Sequence, residues 1–282
     1  EYDAVRLLNQ NDARPTDLAI FAELGHVHAH LLQFSGAIWY PMVYELPDGA
    51  KRAFGKQKRD RQFDRTFRYI DDLNAGWVFP IAGPPCFLDE ELWHLNDIHG
   101  DEGNIFPDQQ VFLDEYRKIG KDNAVVLLPG TEVDLSTSTC VVRQPVEDVR
   151  AFFADKEQHL LEYAERARPV IAAAKASWRH PEIDLLKELK RRIEPLLEES
   201  IYLANGVGGP VRLDLVEPDG AGEVVESIVV DFPEKQVRRY ADEKVRYRSR
   251  TGRALVEHLL HIEEVDWVNS LFLSCRFSAA RI

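Results

Sequence analysis

The chain has 282 residues, 45% of them hydrophobic, and a formal net charge of −13. This length can enclose a sizeable core and favours two domains over one. The acidic balance argues against nucleic acid as the main partner, because phosphate contacts need clustered Lys and Arg. No run of about eighteen apolar residues offers a membrane span, and no basic-then-apolar leader opens the sequence. Cys86, Cys140 and Cys275 are widely spaced and form no CxxC pair. That argues against a disulfide framework and points to a reducing, cytoplasmic setting.

Taken in order, residues 3–9 read as a strand ending in the polar turn at 9–12. Thr16 is placed to cap a short helix to about Leu24. Residues 27–34 read as a buried strand. A long helix is expected from Asp48 to Leu73, its basic run between Lys51 and Arg68 lying on a solvated face. Trp77–Ile81 reads as a strand that runs into Ala82, Gly83, Pro84 and Pro85, a loop that the prolines keep out of helix. A further strand is expected at 124–128. Strands alternating with helices indicate an α/β layer architecture.

The pattern changes near Pro145. Residues 147–178 read as one helix, with Phe152, Phe153, Leu160, Tyr163, Val170 and Ile171 on its apolar side. Pro181 suits the first position of the next helix, whose stripe runs from Leu185 to Leu197. A hairpin follows, 211–216 and 224–231 about the turn Pro218-Asp219-Gly220. Short strands are expected at 236–240 and 244–248, then a helix capped by Thr251. Gly206, Gly208 and Gly209 lack the pattern of a phosphate loop and read as a turn. This second half is an α+β arrangement.

Several residues could carry chemistry. Asp12 sits at the carboxyl end of a strand, a common ligand position in open α/β sheets, although an Asx turn is its ordinary use. His26, His28 and His30 would share one face if the whole segment were a strand, and imidazoles spaced so can share a metal. His94 and His99 lie in a loop with Asp97, Asp101 and Asn104 that could build a metal or sugar site. Trp39 and Tyr40 could line a sugar or nucleotide pocket, or form a hydrophobic lid over the core. His258 and His261 are neighbours on one helical face, where packing is the ordinary role. A Rieske centre needs paired Cys and His ligands, and no Cys-x-His with a matching Cys-x-x-His occurs.

The segments LQFSGAIWYPMVY (32–44), FPIAGPPCFLD (79–89), NIFPD (104–108) and VDWVNSLFLSCRFSA (265–279) resemble metallo-β-lactamase-fold proteins that also carry a Rieske domain. The resemblance runs over the whole chain. Its functional relatives include UDP-N-acetylmuramate hydroxylase and, more distantly, CMP-N-acetylneuraminate hydroxylase. It implies that residues 1–140 are the second half of a metallo-β-lactamase-like αββα sandwich, 141–179 a helical linker, and 180–282 a small sterol-carrier-like α+β domain. It makes Asp12 a metal-ligand position of an iron or zinc centre, with His94 the nearest substitute for a missing late histidine; His30, from the histidine cluster, is a further metal candidate. Trp39, Tyr40 and Asn104, from their loops, and Asp108, within a resembling segment, are the substrate-binding candidates.

The activity so implied is hydroxylation of the N-acetyl group of a nucleotide-activated amino sugar by an iron-dependent monooxygenase, its [2Fe-2S] cluster in a domain outside this chain. The rivals are a metal-dependent hydrolase of the same fold and a non-catalytic binding or structural module. Glu1 at the start and the apolar run at the end read as cuts within a longer polypeptide. The isolated chain is then expected to be inactive, and stable only with the remainder of that polypeptide or as a homo-oligomer.

Overall fold

The computed structural model describes residues 5–36, 38–136, 139–218 and 222–282, and it divides into two compact units. The first comprises 1–37, 52–87 and 95–162; the second comprises 38–51, 88–94 and 163–282.

In the first unit, β1 (Leu7–Asn11), β2 (Ala29–Gln33) and β3 (Trp77–Ile81) form a parallel sheet in that order. Between the first two lies α1 (Ile20–Glu23). It starts later than expected and Thr16 does not cap it. Asp17 takes the nearby backbone N–H of Ala19 instead, at 3.0 Å. Only His30 of the three early histidines lies within β2, because the chain reaches strand geometry at Ala29.

After β2 comes α2 (Asp48–Leu73), which matches the helix expected there. Phe63, Tyr69, Ile70 and Leu73 are buried at helical spacing and pack on Leu32, Phe34 and Val78. Such a stripe is what anchors a surface helix. The basic run is not wholly solvated. Arg59 is buried, its guanidinium 3.9 Å from Asp97 and 3.3 Å from the Asp101 carbonyl.

The strand expected at 124–128 shrinks to one bridge, Val78 to Ala124. Val78 donates to the Asn123 carbonyl at 2.9 Å, and Val125 donates back to Val78 at 2.9 Å. The next donor in that parallel ladder would be the N–H of residue 80. Residue 80 is proline, so the ladder stops. Helix α3 (Gln109–Lys118) completes the core with Phe112, Leu113 and Tyr116. A hairpin of β4 (Glu132–Asp134) and β5 (Val141–Arg143) follows.

The single helix expected over 147–178 is two, α4 (Val149–Ala154) and α5 (Lys156–Ser177). Asp148 caps the first, accepting from Arg150 and Ala151, and Asp155 breaks the run at φ −89° and ψ 17°. No residue of α5 is fully buried, and Val170 is 72% exposed, so the expected apolar side is largely open.

In the second unit, α6 (Leu185–Glu199) begins at Leu185 rather than at Pro181. Asp184 supplies the cap, accepting from Lys187 at 3.1 Å. It is followed by α7 (Ile201–Val207), which ends at Gly208 in the left-handed conformation that glycine tolerates best. The expected hairpin is present as β6 (Pro210–Glu217) and β7 (Glu223–Asp231), its turn lying partly outside the described residues. Next come β8 (Gln236–Arg239), β9 (Tyr247–Gly252), α8 (Arg253–His261) and β10 (Phe277–Arg281).

The sheet order is β10-β9-β6-β7-β8. The strand expected at 244–248 falls later because β9 pairs in parallel with β6 from Val211↔Tyr247 onward. Thr251 lies in that strand, its hydroxyl on the Arg276 carbonyl at 2.7 Å, so it does not cap α8. Leu185, Leu189, Leu215, Ile228, Val237, Val256 and Leu260 join α6 and α8 to one face of the sheet. Among the described residues, no helix is long and apolar enough to cross a membrane.

Candidate functional site

The residues singled out in the first unit are largely occupied in holding its backbone. Asp12 is exposed and follows Asn11, whose φ is +35°, at the carboxyl edge of β1. His30 is fully buried, and burial lowers its pKa to about 4. Gln10 Nε2 donates to the Ala13 carbonyl at 3.0 Å, which turns Gln10 Oε1 toward His30 Nε2, 2.7 Å away. The neutral imidazole therefore carries its proton on Nε2. His30 Nδ1 faces the interior with no hydrogen-bond partner among the described residues.

Asn104 uses both ends of its amide on its own loop, donating to the Leu95 carbonyl at 3.0 Å and accepting from the Phe106 N–H at 2.8 Å. Asp108 caps α3 by accepting from Val111 at 3.1 Å, and its other oxygen meets Lys156 at 2.9 Å.

In the second unit, Trp39 packs on Phe272 and Phe277, with ring centroids 5.5 and 6.0 Å away. Tyr40 sits edge-on to Tyr44 at 5.0 Å. His94 is exposed on a 3-10 turn, Glu90–Leu95. Among the described residues, Asp12, His30 and His94 join no cluster of three converging metal-ligating side chains.

The polar groups that do converge belong to the second unit, and sequence reading did not find most of them. Asp89, nearly buried, is flanked by Lys175 at 3.0 Å and by Arg276. Glu91 meets the same two cations at 3.1 and 2.5 Å. Arg276 also lies over the Trp178 ring, 5.3 Å from its centroid. Burial would raise the Asp89 carboxyl, but hydrogen bonds from Arg276 and Lys175 outweigh it and hold the pKa below the usual carboxylate range. Beside this network opens a cleft of about 290 Å³ lined by Glu91, Lys175, Arg179, Glu217, Pro218 and Ala254. Its mixed charged lining suits a polar ligand, at the small end of ligand-sized cavities.

A histidine stack lies in the same unit. The His180 and His261 rings are 3.8 Å apart and nearly parallel, at 11°, and His258 continues the stack 5.9 Å from His180. The carboxylate of Glu257, itself buried, fixes the turn by accepting from the His180 N–H at 2.9 Å and from Arg253 at 2.8 Å. The His258 pKa is lowered first by burial and then by the two neighbouring histidines. The sequence signal was His180-Pro181-Glu182 set against the i, i+3 pair His258 and His261. Nothing local announced that these segments meet.

A Rieske [2Fe-2S] centre does not fit the residues described. It needs two cysteines and two histidines. Cys86 is exposed, Cys140 half-buried and Cys275 buried, and none joins a histidine cluster among the described residues.

Residues 185–282 match the model of the Rv3818-like, SCP2-like domain. A Mycolicibacterium smegmatis protein is 46% identical over 281 residues, covering 98% of this chain and 54% of its own length. A Mycobacterium tuberculosis protein (strain H37Rv) is 47% identical over 281 residues, covering 97% of this chain and 53% of its own length. Both are named, provisionally, Rieske 2Fe-2S iron-sulfur proteins. The chain spans about half the length of these curated relatives. No solved structure matches it significantly. The chain is thus of mixed α/β build with a C-terminal SCP2-like domain.

Proposed function

We propose that this chain is the cluster-free portion of a Rieske-type oxidoreductase, whose [2Fe-2S] centre is held by another part of the polypeptide. The observation that carries this reading is similarity over 98% of the chain to a relative named for such a cluster. Beside it, the described residues bring no paired Cys and His ligands together. The chain's own contribution is binding and orientation of the substrate. In the cleft, Arg179 is the cation for an anionic group and Glu217 the acceptor for hydroxyl or amide donors, while Lys175 and Glu91, ion-paired with each other, shape its wall.

The substrate class in this proposal is a nucleotide-activated amino sugar, hydroxylated at its N-acetyl group, and the location is the cytoplasm. The class rests on the resemblance of segments 32–44, 79–89, 104–108 and 265–279. The scattered cysteines support the location. The remainder of the polypeptide is the proposed cover for the open face of α5, where Leu161, Tyr163 and Val170 are exposed.

The test is turnover by the full-length protein, supplied with reductant and oxygen, followed by mass spectrometry of the sugar. Gain of one oxygen on the N-acetyl group, lost on Lys175→Ala or Arg179→Ala, is expected. Turnover that both variants leave untouched would mean that the cleft does not bind the substrate. No oxygen gain on any amino sugar nucleotide would remove the substrate class.

A further inference from the structure

We propose that His180, Glu182 and His261 form a binding site for one divalent first-row transition-metal ion on the second unit. Each offers one donor atom, and all three atoms lie within 4.8 Å of one another. A tetrahedral ion with ligand bonds of about 2.1 Å brings its ligands to about 3.4 Å apart. Glu182 and His261 are exposed side chains, free to adjust; because an ion lies in the plane of each imidazole, binding turns the His261 ring out of its parallel stack on His180. His180 is the fixed member. Its backbone is held by Glu257, and its Nδ1 already lies 3.3 Å from Glu182 Oε1. His180 Nε2 is buried and has no hydrogen-bond partner among the described residues.

Two imidazoles and one carboxylate favour zinc, iron, cobalt or nickel over calcium or magnesium, which prefer all-oxygen shells. A second feature also draws a cation. His261 is the last residue of α8, where the helix dipole presents partial negative charge. Three protein ligands leave at least one position for water. The ion would tie the 180–184 turn to the end of α8, joining segments nearly eighty residues apart.

The experiment uses the untagged chain, stripped of metal by chelator and titrated with Co²⁺ alone and then with Zn²⁺ alone. Calorimetry and the visible absorption of cobalt report binding, and circular dichroism reports folding. The expected result is one saturable ion per chain, with affinity reduced roughly tenfold or more in both His261→Ala and Glu182→Ala. Folding should be unchanged in both. A double His26→Ala/His28→Ala variant, which removes a histidine pair of the first unit with rings 4.5 Å apart, should bind as the parent does. The proposal is overturned by absence of saturable uptake, by full affinity in either His261→Ala or Glu182→Ala, or by loss of uptake in the His26/His28 variant.

Discussion

His30 shows how a residue suited to ligation can instead set a pH limit on the fold. Its pKa falls from about 6.5 in the unfolded chain to about 4 in the folded one, and burial causes the shift. Between those values the unfolded chain binds the extra proton, so stability rises with pH and is lost as pH drops through this window. The full difference is worth about 3 kcal/mol. Urea midpoints measured from pH 7 to pH 4 should therefore fall, and His30→Leu should flatten the curve. An unchanged slope in the variant would assign the pH dependence elsewhere. Asp89 acts in a lower window. Its carboxyl is held below the usual range by Arg276 and Lys175, so its contribution is full above about pH 4 and is lost as pH falls further. Asp89→Asn should cost about 2 kcal/mol at neutral pH, less than a fully buried pair because both cations are partly exposed. Equilibrium unfolding measures it, and a cost near zero would mean that Glu91 alone satisfies both cations.

At the scale of elements, the close approach of α2 to the 101–104 loop depends on glycine. A Cβ on Gly55 would lie 1.8 Å from the Gly103 carbonyl oxygen, and neither backbone group can swing aside. Gly55→Ala should destabilise by about 2–3 kcal/mol through forced separation of helix and loop. Gly49→Ala, with nothing within 4 Å of the added carbon, should be neutral or slightly stabilising. Thermal unfolding distinguishes the two. The bounds of the same helix were legible in the sequence, and Phe63, Ile70 and Leu73 recur at helical spacing in its second half, but its first half buries Gly55, Arg59 and Gln62, which no apolar pattern marks. Strand β3 was legible from its apolar run, whereas the strand expected beside it was not, because Pro80 removes the donor that would have extended the ladder. A Thr or Pro near a helix start does not mark the cap where another residue holds the geometry: Ala19 for α1, Asp184 for α6 and Gly252 for α8. The converging groups of the second unit were illegible for a different reason. Asp89 and Arg276, 187 residues apart, meet only through tertiary folding, and no local pattern encodes such a pairing.

At the scale of the whole molecule, the proposal is a division of labour, with substrate handling in this chain and the iron-sulfur centre elsewhere in the polypeptide. Anaerobic reconstitution with iron and sulfide separates the two roles when applied in parallel to this 282-residue chain and to the full-length protein. Electron paramagnetic resonance and acid-labile sulfide analysis then follow. The expected result is a reducible [2Fe-2S] signal with two sulfides per full-length chain and none from the 282-residue chain. A cluster assembled on the 282-residue chain, or none on the full-length protein, would contradict it.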